Sequence, residues 1–437
     1  MRQPPAKPLA TSFAQYVDEL RMLLGAQHTE SRTEGLVAAL DGEASRRLRA
    51  TVPLDQRRRD GAFFTSRTLG DRLLAGDMQL IKASATIADP ACGAGDLLLL
   101  AARVLPIAST VIGTLKLWGR RLVGRDLNPL YVSTARLRLA LMASARVGRA
   151  WRGDEQMLAE LLPDISIGDG TALQLADPHT LVLLNPPFGA TVANEPWGSG
   201  RVARAAVFTA RVVEQLPELA TLRAVLPDVL RSGSNYRRWR SYIEQQLSID
   251  RIEPVGQFDA WTDVDVFLLG GNTRSAGRST QWWRTPVTAP NCTTIGDQFE
   301  VRVGPVVPHR DPTTGDESPY LRAHDLPLKG EHRPGEVRLC HDGRRFKPPL
   351  VVVRRTSRPD TKRSRVTATL IRGREPVLVE NHLLVCVPRD GKLESCRRLI
   401  DALADKRSSD WLNQRLCCRH LTVTALREVP LRDWTRS

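Results

Sequence analysis

Three short segments carry side chains whose types suit one chemistry. The first is LVLLNPPFGA, residues 181–190, where an apolar run ends in Asn185, Pro186, Pro187 and Phe188. Two consecutive prolines offer no backbone N–H, so a strand ladder cannot pass through them. The run therefore stops and presents these four residues at a strand's end. The Asn185 amide oxygen and the Pro186 carbonyl are both hydrogen-bond acceptors. Converging on one point, they suit an amino group with two N–H donors, and Phe188 offers a face for a planar ring. The plainer reading is a rigid strand exit with Phe188 as core filler, because Asn-Pro commonly opens turns.

The second segment is ADPACGAGD, residues 88–96. Gly93 and Gly95 lack a Cβ, so a ligand could approach backbone N–H groups at a helix start, with Asp89 at the end of the preceding strand. The third is Asp126, which ends the strand RLVG. An acid at the end of a second strand accepts hydrogen bonds from the two hydroxyls of a ribose. Taken singly, the Gly-rich stretch also reads as a tight turn and Asp126 as a turn cap.

The pattern around these segments predicts the elements that hold them. Strands are expected at ATIAD, RRLVGRD, LPDISIGDG, TLVLL, LRAVLPDVL, IDRIEPVGQF and DVDVFLLGG, and helices at LLLLAARVL, LYVSTARLRLALMASA and SNYRRWRSYIEQQLS. Strands alternating with helices mean βαβ units and a mostly parallel sheet. The 1–50 stretch reads as an N-terminal helical segment, with Ser12 as a candidate N-cap of SFAQYVDELRMLL and Pro53 with DQRRRD breaking the helical run; docking a nuclease partner, clamping DNA and packing on the core all stay open for it. The loop GATVANEPWGSGR after Phe188 reads as Gly-rich, polar and flexible and could fold onto DNA, with Trp197 equally readable as a packing residue. Beyond the linker GNTRSAGRST, residues 276–437 read as an irregular α+β domain. Its short β-like runs are PPLVVVRRTS, PVLVENHLLVCVP and LTVTALREVPL, and its helix is ESCRRLIDALADKRSSDWLNQRL.

At 437 residues, with 42% hydrophobic and 25% charged residues, the chain has room for two or three domains. It contains no apolar run of about 18 residues, and MRQPPAKPLATSFAQYVDEL lacks an apolar leader core, so no membrane contact and a cytoplasmic setting are expected. The seven cysteines form no CxxC pair, which argues against a zinc site or a disulfide framework. Cys92 reads as a small buried residue. Net charge is +15 and unevenly placed: residues 276–437 carry 30 Lys+Arg against 19 Asp+Glu, a net of +11, whereas residues 1–275 carry 33 against 29. Such a balance points to a polyanionic partner, most simply nucleic acid. The stretch 344–365 holds nine basic residues and one acid. From it, Arg354, Arg355, Arg358, Lys362, Arg363 and Arg365 are the candidates for phosphate contact, the alternative being a solvated basic face.

Asp-Pro-Ala-Cys-Gly-x-Gly followed about ninety residues on by Asn-Pro-Pro-Phe resembles the N6-adenine DNA methyltransferases. The segment GAFFTSRTLGDRLL, residues 61–74, resembles that family's Gly-x-Phe-Tyr-Thr-Pro stretch. It lies before the Gly-rich turn, and a recognition-like domain follows NPPF, an order similar to the gamma class of restriction–modification enzymes. The resemblance covers roughly residues 50–275 and, less sharply, phrases such as YLRAHDL and VVVRRTS beyond. It implies a Rossmann-like class I methyltransferase sheet over 51–275 with flanking helices, binding S-adenosylmethionine, and a target-recognition domain over 276–437. Thr65 and Ser66 would contact the cofactor's methionine part, and Asp89, Ala91, Gly93 and Gly95 would line it. Asp126 would bind its ribose, Leu127 would pack on its adenine, and Asp169 would meet the adenine amine with Gly170 and Thr171 alongside. Asn185 and Pro186, with Pro187 completing the motif, would hold the target amine, and Phe188 would stack on the flipped base. Ser66 stands where the family has Pro, and Phe64 where it has Tyr. The implied partners are double-stranded DNA and a cognate restriction endonuclease or defence-system subunit. The same Asn-Pro-Pro-Phe also serves methylation of protein glutamine amides and RNA amines, and a non-catalytic DNA-binding subunit would keep the fold.

Overall fold

The structure is a computed structural model, in which residues 9–25, 30–274, 280–283, 292–308, 310–328, 330–335, 337–357, 365–416 and 420–431 are described. The chain divides into two compact units: residues up to Arg231 with Asn235–Thr280, and Gln281 onward with the short stretch Ser232–Ser234.

Helices α1 (Leu9–Gly25), α2 (Glu30–Leu40), α3 (Glu43–Thr51), α4 (Leu54–Asp60), α5 (Arg67–Leu73) and α6 (Met78–Ala83) precede strand β1 (Thr86–Asp89). Then come α7 (Asp96–Ala102), α8 (Val111–Gly119), β2 (Leu122–Asp126), α9 (Pro129–Val147), α10 (Glu155–Leu161), β3 (Ile165–Ile167) and β4 (Thr180–Leu184). The unit is completed by β5 (Ala190–Glu195), β6 (Gly198–Ala203), α11 (Arg204–Glu214), β7 (Thr221–Pro227), α12 (Asp228–Ser232), α13 (Arg237–Gln246), β8 (Ser248–Asp259) and β9 (Thr262–Asn272).

The main sheet has the order β3-β2-β1-β4-β7-β9-β8. Strands β3, β2, β1, β4 and β7 run parallel, while β9 is antiparallel to both β7 and β8. Every residue of β4 is buried, as a parallel strand covered by helices on both faces requires. Chain order steps outward from β1 to β2 and β3 on one side and from β4 to β7 on the other, so it reverses between β1 and β4. Ligands of open α/β sheets bind beyond the strands' carboxyl ends at such a reversal. The Gly-rich turn leaves β1 there, and Asn185–Phe188 leaves β4 beside it. The α/β sheet with flanking helices is thus the architecture the residue pattern predicts.

Several local expectations change. Residues 9–50 belong to the first unit: α1 packs through Phe13 edge-on against Phe64 and Tyr131, with centroids 6.4 and 5.2 Å away. Ser12 lies inside α1 rather than capping it. Pro53 follows the end of α3, but Leu54 with DQRRRD then builds α4, with Pro53 at its N-cap. The stretch after Phe188 is not a flexible loop. It is an antiparallel hairpin, β5–β6, whose turn residue Trp197 is 4% exposed.

The second unit contains α14 (Ile295–Gln298), β10 (Phe299–Val303), β11 (Glu317–Leu321), β12 (Glu331–His332), β13 (Arg338–Cys340), β14 (Leu350–Arg354), β15 (Ala368–Ile371), β16 (Leu378–Val379) and β17 (Leu383–Pro388). Helices α15 (Leu393–Ala404), α16 (Lys406–Arg415) and α17 (Val423–Arg427) close it. One sheet has the order β10-β17-β14-β15-β12, another β13-β11-β16. The helix expected over 394–416 is split at Asp405, whose extended backbone lets its carboxylate accept from the Arg407 N–H and cap α16. LTVTALREVPL holds the helix α17 rather than a strand, because the Thr422 hydroxyl accepts from the Ala425 N–H. Among the described residues no helix is long and apolar enough to cross a membrane.

Candidate active site

The turn after β1 is shaped by its glycines. Gly95 has φ +83°, and a Cβ there would come within 2.9 Å of the Ala135 Cβ on α9. Gly93 has φ +50°, and its N–H donates to Asp126 Oδ2 at 3.1 Å. The Asn128 N–H donates to Asp126 Oδ1 at 2.8 Å. Two backbone donors from two turns therefore fix this carboxylate at the end of β2. Leu127 follows, an apolar side chain beside an acid and 74% exposed. After β3, Asp169 Oδ1 accepts from the N–H and hydroxyl of Thr171 at 2.9 and 2.8 Å and caps the short 3-10 turn Gly170–Ala172. A Cβ on Gly170 would sit 1.6 Å from the Pro90 carbonyl, so only glycine lets the two turns meet.

Ala91, Gly93, Asp126, Leu127, Asp169 and Gly170 line one cavity of about 620 Å³, and Asn185 and Pro187 line it as well. Asn185 is held from behind. Its Nδ2 donates to the Phe63 carbonyl at 2.8 Å and to Thr65 Oγ1 at 3.0 Å. A carbonyl only accepts, so this pair fixes which way the amide faces. Its Oδ1 is buried, and among the described residues no group donates to it. The segment supplying these anchors is pressed against the motif itself: Gly61, at φ +73°, leaves no room for a Cβ beside the Pro187 Cβ, 2.4 Å away.

Thr65 and Ser66 do not line the cavity. Thr65 is buried and holds Asn185, and Ser66 Oγ accepts from the Leu69 N–H as the N-cap of α5. Asp89 and Gly95 stand behind the lining. Phe188 is 2% exposed, its ring stacked on Phe63 with centroids 5.4 Å apart and edge-on to Phe258 at 5.3 Å. The expected open face of Phe188 is therefore covered, and Phe63 is the ring of this stack that lines the cavity. Residue type alone did not mark Arg59, Asp60, Asn128, Tyr131, Arg204 or Phe208, which also line it. Arg204 and Phe208 were readable only as a helix following an unforeseen hairpin.

Asp89 is 2% exposed and accepts from the Ala91 N–H at 3.1 Å. Burial pushes its carboxyl from 3.8 up to about 8, and the nearby Asp126 and Asp96 charges add to the rise. Below about pH 4 the group is protonated whether folded or not. Between about pH 4 and 8 the unfolded chain loses this proton and the folded chain keeps it, so stability falls as pH rises through that window. The ligand-free protein should lose melting temperature from pH 5 to about pH 8 more steeply than Asp89→Asn, measured by calorimetry. Equal slopes would show that Asp89 is ionised in the folded protein.

In the second unit three arginines of the basic stretch turn inward to backbone carbonyls. Arg354 donates to the Leu326 carbonyl and Arg355 to the Asn381 carbonyl, each at 2.9 Å, and burial lowers the pKa of Arg355. Arg365 is fully buried and donates to the Ser357 carbonyl and, at 2.7 Å, to the Ser357 hydroxyl. It is a structural residue closing the chain onto β14's end, not a surface cation. Arg358, Lys362 and Arg363 lie outside the described residues.

No family model matches the chain, and no curated protein matches it. Among solved structures it is similar to the type IIG restriction endonuclease BpuSI, at 13% identity over 98% of this chain and 68% of that one, with a TM-score of 0.44. It is also similar to the M protein of the type I restriction enzyme EcoKI, at 16% identity over 62% of each chain and a TM-score of 0.36. A third is the methyltransferase subunit of a type I restriction–modification system from Streptococcus thermophilus, at 17% identity over 61% of this chain and 62% of that one, with a TM-score of 0.34.

Proposed function

We propose that this chain is an S-adenosylmethionine-dependent DNA methyltransferase of restriction–modification type that methylates the N6 amine of adenine in duplex DNA. The observation that carries this reading is Asn185 Oδ1, a buried acceptor that no described group satisfies, fixed in direction by two acceptors behind it. A buried acceptor left without a donor costs about 1–3 kcal/mol, so its retention suits a ligand that brings an N–H.

The remaining cavity fits the cofactor by its chemistry. The whole cavity's volume of about 620 Å³ lies within the range of small-molecule sites. Asp126 offers carboxylate oxygens to vicinal hydroxyls, the exposed Leu127 an apolar face to a purine, and Asp169 Oδ2 an acceptor to an amine. Held there by Asp126, Leu127 and Asp169, S-adenosylmethionine would supply a sulfonium methyl group as the electrophile, and the target amine would release a proton to solvent. Asn185 accepts an N–H of the target amine and draws its lone pair out of conjugation with the ring. This is positioning and electrostatics at a prepared site, with no covalent intermediate on the enzyme.

The target atom lies inside the duplex, so the base must be flipped out at a cost of a few kcal/mol. Phe63 lines the cavity and meets the base, and Phe188 backs Phe63. Stacking of this kind is worth about 1–3 kcal/mol per base. Phe63→Ala should therefore raise KM for DNA about tenfold or more with a small change in melting temperature. Phe188→Ala should chiefly destabilise, by about 3–5 kcal/mol, as truncation of a buried ring does. Steady-state kinetics beside thermal melts separate the two; a KM effect confined to Phe188→Ala would restore the direct-stacking role to Phe188.

The basic residues 276–437 supply target recognition, and a cognate nuclease or defence subunit is the matching partner. Incubation with methyl-labelled cofactor and DNA, RNA or protein tests the reading. Label on DNA supports it, and label on RNA or protein alone replaces the substrate.

A further inference from the structure

The β5–β6 hairpin leaves directly from the motif, turning at Gly189 with φ +104°. Two strands alone are marginally stable in water, yet this pair is secured at both ends. Trp197 is buried at its turn, Glu195 pairs with Arg211 at 3.2 Å, the Ala203 N–H donates to the Tyr236 hydroxyl at 2.8 Å, and the Arg204 N–H donates to the Gly189 carbonyl at 2.9 Å. Side chains of a strand alternate between faces. Thr191, Ala193 and Glu195 form the half-buried row, and Ala190, Val192 and Asn194 the exposed one. The register places Arg201 directly opposite Val192 and Ser199 opposite Asn194, both on the exposed face. That face holds no acid, because Glu195 points to the other side. Val192 is 83% exposed, more than any other large hydrophobic side chain among the described residues. A single exposed valine is ordinary on a surface. This one is held four residues from Phe188, so its Cα lies within about 14 Å of that motif residue.

We infer that the hairpin enters duplex DNA at the target, with Val192 filling the space a flipped base vacates and Arg201 on a flanking phosphate. The inference rests on the proposed DNA methylation. A flipped base leaves a gap in an apolar stack, and apolar wedges at base steps are the common means of holding such a gap open. A β-branched side chain suits the role because its χ1 is already restricted on the strand. Arg201 beside it, with Asn194 and Ser199 as hydrogen-bonding groups, matches the sugar–phosphate rim of a groove.

The test compares the full-length wild type with Val192→Ala and Val192→Leu on the duplex sequence that wild type methylates. A second duplex carries an abasic site opposite the target adenine. On the paired duplex, Val192→Ala should lower kcat/KM about tenfold, part of the unpairing cost a wedge offsets. On the abasic duplex it should match wild type, and Val192→Leu should match wild type on both. Fluorescence of 2-aminopurine at the target position should fall in parallel with the paired-duplex rate. Equal rates on the paired duplex, or equal loss on both duplexes, overturns the wedge while leaving the methyltransferase reading intact. Absence of transfer to any DNA by wild type removes that reading and the wedge with it.

Discussion

Asn185→Ala should bind S-adenosylmethionine with unchanged affinity and transfer methyl groups about 100- to 1000-fold more slowly, the loss seen when one prepared polar group is removed from a reacting centre. The separation follows from geometry. On the proposed reading the cofactor meets the turns after β1, β2 and β3, whereas Asn185 follows β4. Asn185→Asp should be no better. The carboxylate cannot donate to the Phe63 carbonyl, so it would face that oxygen at the 2.8 Å now bridged by an N–H. Calorimetric titration of cofactor and single-turnover methylation measure the two halves. Joint loss of binding and rate would make Asn185 a cofactor residue, and an unchanged rate would remove it from the chemistry.

Arg138→Ala should destabilise the first unit by about 3–5 kcal/mol, the range for removing one partner of a buried ion pair. Its side chain is 1% exposed and pairs with Asp96 at 2.9 Å. It also donates to the Ala39 carbonyl at 2.8 Å and the Ala94 carbonyl at 2.6 Å. One guanidinium on α9 thus ties α2, the Gly-rich turn and the start of α7 together. Its loss leaves Asp96 without this partner and two carbonyls without these donors. Arg138→Lys should recover only part of the stability, because a single ammonium cannot reproduce a planar fork. Denaturant melts give the free energy, and cofactor affinity should fall as the turn loosens. A loss below about 1 kcal/mol would mean that water replaces these bonds at little cost.

The ends of β1, β2 and β4 were legible in the sequence because each is a local event: an apolar run stopped by Gly, Asp or Pro. Those stops place Gly93, Asp126 and Asn185 around one cavity. What the sequence withheld depends on distant pairings. Phe63 and Phe188 lie 125 positions apart, and only their packing decides which ring faces the cavity. Arg365 and Arg354 read as surface charge because composition cannot show which guanidinium will turn inward to a carbonyl. The sequence left open whether the N-terminal helices pack on the core, since nothing local announces that the Ala39 carbonyl meets Arg138 on α9. Ser66 carries its structural role locally: a serine before a helical run is an N-cap signal, and it caps α5.

The most direct measurement is mass spectrometry of nucleosides digested from duplex DNA after incubation with the wild-type chain and methyl-labelled S-adenosylmethionine. Label recovered as N6-methyladenine, and its absence with Asn185→Ala, is the predicted result. Labelled DNA containing only methylcytosine, or no labelled DNA while wild type binds both cofactor and duplex, would contradict it.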